Sequence, residues 1–74
     1  MAAFPGEDRV AELRAAWPRG TRVELVSMDD PQAPPRGARG TVTGVDDAGL
    51  VHVSWDTGST LALVPGEDGF RALR

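Results

Sequence analysis

The stretch GTVTGVDDAGLVHVSWDTGSTLAL, residues 40–63, decides how this chain folds. It alternates short β-prone runs with clusters of Asp and Gly, the pattern of antiparallel strands joined by tight turns. With Asp56 and Thr57 in a type I turn and Gly58 in the left-handed region, residues 56–58 make a three-residue hairpin loop. Trp55 then pairs with Ser59, Val53 with Leu61 and Val51 with Leu63, all on one face. His52, Ala62, Ser54 and Thr60 share the other. Upstream, an Asp47-Ala48-Gly49 loop sets Val45 opposite Val51 and Thr43 opposite Val53. Val42 would then point away from the core, unless Gly44 marks a β-bulge that re-aims it. The sequence predicts that bulge.

Asp56-Thr57-Gly58-Ser59 is also the four-residue spelling of the catalytic loop in pepsin-like and retroviral aspartic proteases. That chemistry needs two carboxylates sharing one proton, because like charges so close cannot both ionise. One motif per chain requires a homodimer to supply the second carboxylate. The retroviral enzymes also build a flap and the rest of a barrel after the motif, for which few residues remain here. The bracing hydrophobic-hydrophobic-Gly segment is missing, since Leu63-Val64 runs into Pro65. The turn reading explains every neighbour, and the protease reading does not.

Outward from this core, residues 7–17, EDRVAELRAAW, read as a helix. Val10, Leu13 and Trp17 fall on one face, and Pro18 stops the helix at Trp17. Glu7 and Asp8 near the start and Arg14 near the end suit the helix dipole. Trp17 reads as an anchor holding the helix on the main domain. Strands are expected over 22–28, 41–45, 50–55, 59–64 and 70–73. A proline- and glycine-rich loop, DDPQAPPRGARG, is expected over 29–40, and a turn over 65–69. The fold class is mainly β: a small five-stranded SH3-like barrel with a short N-terminal α-helix. In domain terms, residues 1–6 form a flexible N-terminus, 7–17 the helix and 20–74 the barrel.

Composition narrows the function. The chain has 74 residues, room for one small domain that buries only about 60% of its unfolded surface. It has no Cys, which removes disulfides and thiolate metal sites and fits the cytoplasm. The start lacks the charged and apolar regions of a signal peptide, and no apolar run approaches membrane-spanning length. Eight basic residues, all Arg, stand against 11 acidic ones, for a net charge of −3. That is the wrong sign for tracking a phosphate backbone, and the arginines are scattered, so a basic stripe needs the fold to assemble it.

Other chemistry is sparse. His52, the one histidine, sits on the more polar hairpin face with no nucleophile beside it in sequence. The pairs Asp29-Asp30 and Asp46-Asp47 lack the alternating ligands and turn glycine of a calcium loop and read as turn residues. No catalytic residue, metal site or cofactor is assigned.

The run MDDPQAPPRGARGTVTGVDDAGLVHVSWDTGSTLALVPGEDGF, residues 28–70, with WPRGTRVELVS before it, resembles a family of small bacterial and phage-borne proteins. That family is known only as a domain of unknown function and is often found on mobile elements. The resemblance implies an SH3-like fold and no reaction. The expected function is a non-catalytic binding module for a protein or peptide partner, with no membrane involvement. The alternative is a nucleic-acid-associated module, disfavoured by net charge. The expected partner surface joins Met28, Asp29, Asp30 and Pro34 of the long loop to Trp55, Asp56 and Phe70, an apolar floor with an acidic rim; the alternative is that Met28, Trp55 and Phe70 are all core and the loop only covers the barrel's open end. Long, proline-rich loops are often functional, and prolines lower the entropy lost on ordering.

Overall fold

The computed structural model of the chain describes residues 6–73. A helix α1 (Glu7–Ala16) precedes four strands, β1 (Arg22–Ser27), β2 (Arg39–Val45), β3 (Val51–Trp55) and β4 (Gly69–Ala72). They form one antiparallel sheet in the order β3-β2-β1-β4. The fold is mainly β with one short helix. Of the stretch expected to be a flexible N-terminus, residues 1–5 lie outside the described residues.

Strand alternation selects the core. Val23 and Leu25 of β1, Val42 and Val45 of β2, and Val51, Val53 and Trp55 of β3 point to one side and are buried. Val10 and Leu13 of α1 close over them, with Leu63 fully enclosed beside Val51. Trp17 ends the helix as expected: its N–H donates to the Leu13 carbonyl at 2.8 Å. Arg14 pins the helix to the turn after β2, donating from Nε to the Val45 carbonyl at 3.1 Å and pairing with Asp47.

The bulge in β2 is present. Val42 pairs with Val53 and Gly44 with His52, so the register shifts between them and Thr43 is the extra residue. Without the shift, Val42 or Val45 would face solvent. With it both are buried, and Val45 sits opposite Val51. Thr43 is therefore not the partner of Val53.

The expected strand 59–64 is not formed, and among the described residues the sheet has four strands rather than five. Both ends of the predicted hairpin hold. Trp55 donates to the Ser59 carbonyl at 2.9 Å, and Val51 and Leu63 exchange bonds of 3.0 and 2.8 Å. The middle leaves the ladder because side chains take its backbone groups. The Trp55 indole N–H donates to the Leu61 carbonyl at 2.8 Å, and the Ser59 hydroxyl accepts from the Leu61 N–H at 3.2 Å. Local side-chain bonds of this kind compete with sheet pairing. The last strand begins one residue earlier than expected, at Gly69, and ends at Ala72.

Gly40 leaves no room for a side chain. It pairs with both Val23 and Trp55. A Cβ built there would lie 2.5 Å from Val53 Cγ1, 2.9 Å from the Ser54 carbonyl oxygen and 3.0 Å from the Trp55 ring. The carbonyl oxygen is backbone and cannot swing aside. Gly40→Ala is therefore expected to destabilise the domain by about 1–3 kcal/mol, the usual cost of overpacking. Urea denaturation of the two proteins checks this; an equal midpoint shows that β2 and β3 can part without loss.

Candidate functional site

The solvent face of the sheet is built from the residues between the core positions. Arg22 and Glu24 come from β1, Arg39 and Thr41 from β2, Ser54 from β3 and Arg71 from β4. Asp56, just past β3, completes the set. Its carboxylate accepts from Arg22 NH1 at 2.9 Å and NH2 at 2.6 Å, a two-pronged pair, while NH1 also reaches the Thr41 hydroxyl at 3.1 Å. The Arg22 hydrogen bond holds the Asp56 carboxyl below its ordinary range, and the same contact raises Arg22. Asp56 is thus held against Arg22 on the solvent face. Gly58 has φ +96°, its N–H donates to the Trp55 carbonyl, and the loop is the expected three-residue turn.

Glu24 is the centre of a second cluster. Arg71 donates to Oε2 at 3.0 and 2.7 Å from one flank, and Arg39 lies 3.4 Å from Oε1 on the other. The Arg71 hydrogen bond is the main cause of a lowered Glu24 carboxyl; partial burial opposes it, and Arg39 adds to the lowering. Two guanidiniums on one carboxylate leave one positive charge in excess. A shallow cleft of about 270 Å³ adjoins this cluster, lined by Glu24, Val26, Arg36 and Arg71 among others.

At the opposite end of β3, Asp46 organises its turn. Oδ1 accepts from the N–H groups of Ala48 and Leu50, and Oδ2 lies 2.7 Å from His52 Nε2. The His52 hydrogen bond, followed by the Leu50 N–H, lowers the Asp46 carboxyl. Among the described residues no hydroxyl hydrogen-bonds the ring. Nor do three or more His, Asp or Glu side chains among the described residues gather as a metal site. No helix among them is long and apolar enough to cross a membrane.

The residues expected to form one surface fall into three places. Trp55 is 2% exposed and belongs to the core, and Pro34 is buried as well. Neither offers a face to a partner. Asp56 is engaged on the solvent face of the sheet. Met28 and Phe70 are half-buried and flank the Ser27–Gly69 pair, where β1 and β4 shift register. Asp29 and Asp30 are exposed next to Met28, with Asp30 capping its own turn through the Gln32 N–H at 2.8 Å. Phe70 also packs on Trp17, with ring centroids 4.7 Å apart and planes tilted by 52°. The loop is less independent than its composition implies: Gly37 and Ala38 exchange backbone bonds with Leu25 at 2.8 Å each, folding its end back along β1.

Sequence reading missed the ion pairs. The Asp46–His52 contact has a local signal, because the three-residue turn brings Leu50 back to Asp46 and His52 stands on the same face two residues on. Arg22–Asp56 and Glu24–Arg71 join residues 34 and 47 positions apart, and only the strand order reveals them.

A family model described as Domain of unknown function (DUF4314) matches residues 6–73. The chain belongs to this family. No curated protein and no solved structure matches it. The DUF4314 match spans the helix and all four strands, so the sheet face and the Trp17–Phe70 end both lie within the family's own domain.

The lowered carboxyls set the acid response. Glu24, Asp46 and Asp56 each have a depressed folded-state pKa, so each contributes stability that is present above its ordinary value and lost as pH falls through the folded value. The melting temperature is expected to hold through neutral pH and to fall once the pH drops below the ordinary carboxylate range. Glu24→Gln should flatten that fall while lowering stability at pH 7. A variant whose pH profile parallels the parent's shows that the Arg71 pair carries none of it.

Proposed function

We propose that this domain is a non-catalytic binding module for a protein or peptide partner, working in the cytoplasm of a bacterium or its phage. The observation that carries the reading is the half-buried Trp17–Phe70 pair, with half-buried Met28 just past the Ser27–Gly69 pairing and Asp29 and Asp30 exposed after it. An apolar floor with an acidic rim suits a partner segment that is partly apolar and carries a basic residue at that rim. The engaged state of Asp56 and the unaccompanied Asp46–His52 pair support a role without catalysis. Absence of cysteine agrees with a reducing compartment. We read the architecture as a reduced SH3-like barrel, in which the strand expected over 59–64 is shortened to the Val51–Leu63 bridge.

One observation favours a second reading, a nucleic-acid-associated module. Arg22, Arg39 and Arg71 share the solvent face of the sheet, and Arg36 adjoins it at the cleft, so arginines scattered in sequence come together. Against it, Arg22 is committed to Asp56, and Arg39 and Arg71 share Glu24.

A peptide array probed with the purified domain at low and high salt tests the preferred reading. Binding to apolar peptides with a basic residue is expected. The Asp29→Asn, Asp30→Asn double variant should bind them more weakly, with the difference shrinking as salt rises. Unchanged affinity in the folded double variant moves the surface elsewhere. An empty array, together with a gel shift on DNA or RNA that weakens steeply with salt, transfers the function to the second reading.

A further inference from the structure

Among the described residues the outer edge of β4 is open. β4 stands last in the sheet order, and among the described residues no strand lies beyond it. Its pairing with β1 fixes which backbone groups face out. Val23 pairs with Ala72, Glu24 with Arg71 and Leu25 with Phe70, and Leu73 donates its N–H to the Arg22 carbonyl at 2.8 Å. Hydrogen-bonded pairs alternate along an antiparallel ladder, so Arg71 and Leu73 turn their backbone groups toward β1. Phe70 and Ala72 turn theirs away. The two faces of this edge differ in chemistry. Arg71 stands on the solvent face, in the cluster that carries one positive charge in excess. Phe70 lies on the other, against the half-exposed Trp17 ring.

We propose that β4 takes an extended segment of a partner protein as an added strand, with an acidic residue opposite Arg71 and apolar residues on either side of it. The inference rests on the binding-module reading and names the partner segment's chemistry. Main-chain bonds from Phe70 and Ala72 supply affinity, and alternate side chains supply selectivity. The acidic residue shares the Arg71 guanidinium, whose five N–H donors are not exhausted by Glu24. The apolar neighbours extend the Phe70–Trp17 cluster. A basic residue past the Gly69 end would meet Asp29 and Asp30, since Gly69 pairs with Ser27 just before Met28.

Charge argues against a second copy of this chain as the occupant. An antiparallel β4–β4 pairing that uses the outward groups of both Phe70 and Ala72 matches each Phe70 to the other copy's Ala72. That register sets Arg71 directly opposite Arg71, and like charges so placed destabilise a strand pair. An acidic partner residue reverses the sign.

The test uses labelled synthetic peptides of alternating threonine and valine with a central Val-Glu-Val, titrated against the whole chain by fluorescence anisotropy. The Val-Glu-Val peptide is expected to bind, and replacing its Glu with Lys should weaken binding several-fold. Methylating the backbone nitrogens that face β4 should abolish it. Ala72→Pro should also abolish it without unfolding the domain, because proline is tolerated at an edge position whose N–H faces solvent. A melting curve confirms the fold. Equal binding by the methylated peptide, or by a folded Ala72→Pro variant, overturns strand addition. So does a protein that binds array peptides but not this probe, and that result leaves the binding-module reading standing. A protein that binds no peptide in either format overturns both.

Discussion

The indole of Trp55 lying over Gly40 is the contact on which the rest of the sheet depends. A ring can approach a backbone this closely only where no Cβ intervenes, and the space at Gly40 is already filled by Val53, Ser54 and Trp55. The indole then does a second job, donating its N–H to the Leu61 carbonyl and drawing residues 59–63 across the end of the core. Leu63 is thereby delivered to Val51 and fully buried. In a domain too small for a deep core, one aromatic side chain ties two strands and a returning segment together. The cost is regularity: the segment that would have been a strand lends its carbonyl to a side chain.

The charges follow a related logic on the opposite face. Glu24 sits on a central strand with arginines on both neighbours, and Arg22 spans to Asp56 beyond the far end of β3. Exposed pairs of this sort contribute little individually. Their effect is to fix the long side chains of the sheet face in place. What remains uncompensated is a positive excess near Arg71 and a negative one at Asp29 and Asp30.

How much of this was legible in the sequence depended on range. Helix α1, the two three-residue turns and the bulge before Gly44 are set by local rules, namely apolar spacing, turn residues and the demand that Val42 be buried. Each was readable. The strand expected over 59–64 was misjudged because pattern alone does not show that an indole will claim the Leu61 carbonyl. The expected partner surface is not brought together as one patch, for a similar reason. Trp55 and Pro34 look available in the sequence, yet both are buried, Trp55 as part of the core. The sheet-face ion pairs depend on β1 lying between β2 and β4, a fact of topology that no local window contains.

That placement of β1 also bears on how the chain assembles. β2 and β3 are joined by a three-residue turn and can pair early, as a hairpin with little loop entropy to overcome. β1 must close the long proline-bearing loop to reach β2, and β4 must return across most of the sequence to reach β1, with Glu24 and Arg71 separated by 47 positions. Contacts of such separation slow folding, because chain entropy is lost before they form. Until β4 arrives, β1 presents its own open edge on the nascent sheet.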